Sequence, residues 1–146
     1  MPDTTISADI EIAAAPERVW AVLTDLDGYR AWNPVWREAS GQLTPGSKVT
    51  ITSARPTSDK ILTVKVKVVT ADPPTVLRWR SNMLLGLSGS THSFVLTPEA
   101  GGTLLVQSQA YRGMFTRFPY QTIRRIQSSF EAINQAIKEQ AEGRFS

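Results

Sequence analysis

The chain contains a single histidine, His92, which alternates with Phe94 and Leu96 at the period of a β-strand. A lone imidazole can act as general acid or base near neutral pH, or serve as a buried hydrogen-bonding group. Further on, Gln107, Gln109 and Tyr111 recur at the same period of two. Two amides and a phenol are neutral donors and acceptors, suited to orienting a small molecule or to satisfying one another. Apolarity alone would instead turn Leu104, Val106, Ser108 and Ala110 into the core. The absence of cysteine excludes disulfides, thiolate nucleophiles, iron–sulfur clusters and Cys-ligated zinc. One histidine cannot build a multi-histidine metal site, and no EF-hand-like acidic run appears. No metal and no cofactor are therefore expected.

The elements that must hold these side chains fit one domain spanning residues 1–146. A hydrophobic content of 41% with 20% charged residues belongs to a globular chain able to bury a core. The net charge of +3 is spread out, with Arg124 and Arg125 the one adjacent basic pair, so no nucleic-acid partner is expected. No signal-peptide pattern opens the sequence and no apolar run could span a bilayer, so the expected location is cytoplasmic.

Residues 5–12 alternate as a half-buried strand, with Ile6, Ala8, Ile10 and Ile12 on one face. Pro16 then opens a short helix with Val19, Val22 and Leu23 as its apolar stripe, although Ala15 is a poor cap. One more helical turn over 29–32 ends at Asn33 and Pro34. Six strands follow, over 35–42, 48–53, 61–70, 75–81, 90–97 and 103–112, separated by turn signals such as Thr44, Pro45 and Gly46. From Pro119 the period becomes helical: Ile123, Ile126, Phe130, Ile133 and Ile137 make one stripe, and Gly143 ends it. Hairpin-linked strands give an antiparallel sheet, and only this last helix is long enough to cover its apolar face. The fold class is α+β.

Several stretches, in this order, resemble the START-like (SRPBCC) superfamily, specifically its polyketide cyclase/dehydrase and lipid-transport group. They are Ala15-Pro16-Glu17-Arg18-Val19-Trp20, Thr24-Asp25, and Tyr29 followed by Trp32-Asn33-Pro34. His92 with Phe94 and Leu96, Gly102-Thr103, and Tyr111 with Gly113 complete the set, over roughly residues 4–142. The resemblance implies a helix-grip: a seven-stranded antiparallel sheet curved around the C-terminal helix, with a cavity for hydrophobic ligands between them. It also implies that Leu105, Gln107, Gln109 and Tyr111 face inward beside His92. Many relatives carry an acidic residue where this chain has Gln109, so any role of that carboxylate is absent here.

On that pattern the expected ligand-binding residues are Trp79, Met83, Leu85, His92, Phe94, Gln107, Gln109, Tyr111, Met114, Phe118, Tyr120, Ile123, Ile126 and Phe130. Trp32 and Trp36 are expected to pack beneath the two short helices, away from ligand. Two apolar loop segments, over 83–87 and 113–120, emerge at one end of the sheet and read as a gate to the cavity. The leading expectation is a carrier or sensor of a hydrophobic small molecule, whether lipid, quinone-like or polyketide-like. One alternative is an aromatase/cyclase-type enzyme with His92 and Tyr111 as its catalytic pair. A client-protein-binding helix-grip module is another. Membrane contact would be at most transient, and a homodimer remains open.

Overall fold

The computed structural model describes residues 4–54, 61–83, 86, 88–113 and 118–143, apart from the side chains of Ala54 and Met83. Strand β1 (Thr4–Ile12) leads through α1 (Pro16–Thr24), a 3-10 turn (Leu26–Gly28) and α2 (Tyr29–Trp32) into the sheet. The sheet continues with β2 (Trp36–Gly41), β3 (Lys48–Ala54), β4 (Ile61–Asp72), β5 (Val76–Met83), β6 (Ser88–Glu99) and β7 (Gly102–Gly113). Helix α3 (Tyr120–Ala141) closes the fold. Every pairing is antiparallel, in the order β1-β7-β6-β5-β4-β3-β2, so the first and last strands are neighbours. This is the helix-grip arrangement expected from the sequence. Among the described residues no helix is long and apolar enough to cross a membrane.

Helix α1 starts with Pro16 and has no side-chain cap on Ala15, so packing holds it: Val19 and Leu23 are fully buried. Arg18 donates from Nε to the Ala141 carbonyl at 3.2 Å, fastening α1 to the end of α3. Asn33 does more than break α2. Its Oδ1 accepts from the backbone N–H of Val35 and of Trp36, at 3.0 and 2.8 Å, and this Asx-type turn directs Trp36 inward.

The β5–β6 connection is shorter than the loop read from the sequence. Asn82 pairs with Gly89 and Met83 with Ser88, because the strands keep their register past the small polar residues. At the far end, Gly101 forms the β6–β7 turn with φ of 84°, and Gly102 lies against the end of β1. A Cβ on Gly102 would stand 2.0 Å from the Ile12 carbonyl oxygen, a contact that only backbone movement can relieve. We expect Gly102→Ala to lower stability by about 1–3 kcal/mol, the usual cost of overpacking, measured by denaturant unfolding.

The core lies between the sheet and α3, with Leu77, Phe94, Leu96, Leu105, Ile133 and Ile137 almost wholly buried. Along β7, Leu105 and Gln107 are fully buried, whereas Leu104 and Val106 are only partly covered. The polar parity therefore faces α3, against what apolarity alone would choose.

Candidate functional site

A cavity of about 330 Å³ opens between α3 and the inner face of the sheet. Its apolar wall comes from Val35, Trp36, Ile51, Leu62, Val64, Val66, Trp79, Ile126, Phe130 and Ile133. A polar row crosses it on neighbouring strands: Ser81 on β5, Ser90 and His92 on β6, Gln109 and Tyr111 on β7. Ser53 and Ser129 complete the lining, and no described lining residue carries a formal charge. The register brings the row together, since His92 sits opposite Trp79 on one side and Gln109 on the other, while Ser90 faces Tyr111.

His92 is boxed by rings. Trp79 stacks on it at 5.8 Å between centroids, and Trp36 and Phe130 meet it edge-on at 5.1 and 5.0 Å. Phe94 packs beside it at 5.1 Å. This burial drives the imidazole pKa down to about 4, although hydrogen bonds from Gln107 and Gln109 act the other way. The Gln107 amide oxygen lies 2.9 Å from Nε2, and that of Gln109 lies 3.1 Å from Nδ1. Gln107 then donates from Nε2 to Asn134 Oδ1 at 2.7 Å and to the Phe130 carbonyl at 3.2 Å. Asn134 in turn donates from Nδ2 to the Ala8 carbonyl at 3.1 Å. The Gln109 side chain also reaches Ser90 Oγ at 2.8 Å, and Ser90 Oγ lies 3.1 Å from Ser81 Oγ. The Tyr111 ring packs edge-on against Phe118, and burial pushes its phenol up to about 12, so it stays protonated.

Of the residues expected to bind ligand, Trp79, His92, Gln109, Tyr111, Ile126 and Phe130 line the cavity together. Phe94 and Gln107 lie beneath the floor, fully buried and out of the wall. Phe118 supports Tyr111, Ile123 is partly covered, and Tyr120 is 74% exposed at the start of α3; none of these three lines the cavity. Leu85 and Met114 lie outside the described residues, as does the side chain of Met83. The gate proposed for 83–87 and 113–120 therefore falls largely outside them too. Even so, the pairings of Ala54 with Ile61, and of Ser88 with both Met83 and Gly113, put these strand ends at one end of the sheet.

Trp36 stacks on Tyr29 of α2 at 6.3 Å, beneath the short helices as expected, but it also forms a cavity wall and meets His92 edge-on, a second place that the expectation lacked. Sequence reading also missed Asn134, which sits between stripe positions of α3 and looks like an ordinary polar neighbour. Ser81 and Ser90 were missed as well, although both fall on the inward parity of their strands. No cluster of groups able to hold a metal ion occurs among the described residues.

Solved structures share this architecture at low identity, which establishes the fold alone. TTHA0849 from Thermus thermophilus is 19% identical, with 98% of this chain and 100% of that one covered and a TM-score of 0.77. A START superfamily protein from Mycobacterium smegmatis is 14% identical over 95% and 97% of the two chains, with a TM-score of 0.75. The Zhui aromatase/cyclase from Streptomyces sp. R1128 is 18% identical over 97% and 94%, with a TM-score of 0.74. No curated protein matches the sequence. The family described as polyketide cyclase/dehydrase and lipid transport matches residues 3–142, nearly the whole length, and the chain belongs to that family.

Proposed function

We propose that the protein binds a hydrophobic small molecule between α3 and the sheet, as a carrier or sensor. The observation that carries this reading is the cavity itself: largely apolar walls around a short polar row, the composition typical of small-molecule sites. The volume falls at the lower end of the range for such sites, which favours a compact ligand over a two-chain lipid.

Turnover is the second reading, because one structural neighbour is named as an aromatase/cyclase. Acid–base work would fall to His92. An imidazole with a pKa near 4 and both nitrogens engaged is a weak base at neutral pH, and among the described residues no carboxylate hydrogen-bonds to it. That supports binding over catalysis. His92→Ala separates the two, since an enzyme would lose turnover at nearly unchanged affinity.

Native mass spectrometry of the purified protein, followed by denaturing extraction, is expected to reveal a stoichiometric hydrophobic adduct. Val64→Trp, which fills the cavity from β4, is expected to weaken binding about tenfold or more, read as quenching of Trp36 and Trp79 emission in the parent protein and as mass adduct in the variant. An apo mass together with no stabilisation by lipids, quinones or polyketide mimics would count against the proposal.

A further inference from the structure

The hydrogen bonds beneath the cavity have a direction that can be followed from one fixed end. Asn134 donates from Nδ2 to the Ala8 carbonyl, so its Oδ1 is left to accept. It accepts from Gln107 Nε2, which also donates to the Phe130 carbonyl. The Gln107 amide is thereby fixed, with its oxygen toward His92 at 2.9 Å. That oxygen can only accept, so His92 carries its hydrogen on Nε2.

An imidazole boxed by Trp79, Trp36 and Phe130 is neutral at neutral pH and has no second N–H to give. Nδ1 is then a bare lone pair, and an amide oxygen 3.1 Å away would repel it. The oxygen and nitrogen of a glutamine amide exchange places by a half-turn of the group. Turned so, Gln109 donates to Nδ1 and accepts from the Ser90 hydroxyl, which in turn accepts from Ser81. Every member of the chain is satisfied in this arrangement. What it leaves over is the second N–H of Gln109, with the Tyr111 hydroxyl two residues along the same face. That hydroxyl has no hydrogen-bond partner among the described residues. Both leftover groups are donors.

We propose that His92 is a positioning residue, fixed as the Nε2–H tautomer by Gln107 and Asn134. It turns Gln109 so that Gln109 and Tyr111 present two donors to one carbonyl oxygen of an uncharged ring compound. This rests on the reading that the cavity binds a small molecule. The size follows from volume: a dry cavity of about 150 Å³ holds benzene, so one of about 330 Å³ suits two or three fused rings. Trp36, Trp79 and Phe130 provide aromatic surface for them. Carboxylates and phosphates are disfavoured, since an anion buried without a countercharge is costly.

Two measurements test this separately. His92 is the only histidine, so nitrogen NMR of the labelled protein shows a single imidazole, expected as the neutral Nε2–H form. Finding Nδ1–H, or a charged ring, at neutral pH would overturn the positioning role. Binding is then compared for three probes of one shape: fluorene, fluorenone and a fluorene carboxylate. Fluorenone is expected to bind about 10- to 100-fold more tightly than fluorene, one to two net hydrogen bonds, with the carboxylate weakest. Gln109→Met and Tyr111→Phe should each cut the ratio of fluorenone to fluorene affinity about tenfold, with cooperative thermal unfolding of each variant as the check on folding. Fluorene and fluorenone binding alike would overturn the carbonyl site and leave the cavity reading standing. Binding of none of the three would overturn both.

Discussion

Lowering the pH from about 7 to about 4 is expected to cost the folded protein about 3 kcal/mol through one side chain, His92. Its surrounding rings exclude water, and the folded pKa falls from 6.5 to about 4. At about 1.4 kcal/mol per pH unit, that difference gives the figure stated. The sign follows from which state binds the proton first. Between pH 6.5 and about 4 the unfolded chain is protonated while the folded chain is not, so stability falls as pH falls through that window. Above it the contribution is constant, and below about pH 4 this group costs nothing more. Denaturant unfolding across the window should show the slope in the parent protein and a shallower one in His92→Gln, which retains a donor for Gln107. Because the chain has no other histidine, no second imidazole can mimic the effect. Equal slopes in the two proteins would mean that His92 protonates freely in place.

Gln107→Leu is expected to destabilise by about 3 kcal/mol. The substitution nearly preserves volume but strands the His92 Nε2–H and Asn134 Oδ1, both sealed from water. Each orphaned buried group costs about 1–3 kcal/mol, more than a net hydrogen bond is worth. A double-mutant cycle with Asn134→Leu checks the cause. Each single variant orphans the other residue's amide, so the double variant should lose less than the sum of the two. Additive losses would mean that the 2.7 Å contact contributes nothing in solution.

The architecture was legible because period settles it: alternation in Leu62, Val64, Val66 and Val68, then the 3-and-4 spacing from Ile123 to Ile137. Parity on β7 was not, since Leu104 and Val106 are as apolar as a core strand needs. Family resemblance, and not hydrophobicity, favoured the polar set. Alternation says which side chains point inward, but not which of them α3 then covers. Gln107 shares its face with Gln109, yet the first is tied to the Phe130 carbonyl and Asn134 of α3 while the second is left at the cavity. The cavity-wall position of Trp36 was missed because its direction depends on two backbone hydrogen bonds to the Asn33 side chain, and spacing carries no trace of those. Asn134 matters only through Gln107 and Ala8, partners 27 and 126 positions away.

Those separations bear on how the molecule assembles. Strand β1 is synthesised before the other six strands, yet among the described residues its strand partner is β7. The α3 bonds that pin it, from Gln127 to Ser7, Asn134 to Ala8 and Lys138 to Glu11, all bridge at least 120 positions. Contacts of such high order form late and slow the search for the native state. Strand β1 therefore waits, unpaired, until β7 has been synthesised. The Asn134–Gln107–His92 chain closes only then. Binding competence should accordingly be the last property a nascent chain acquires.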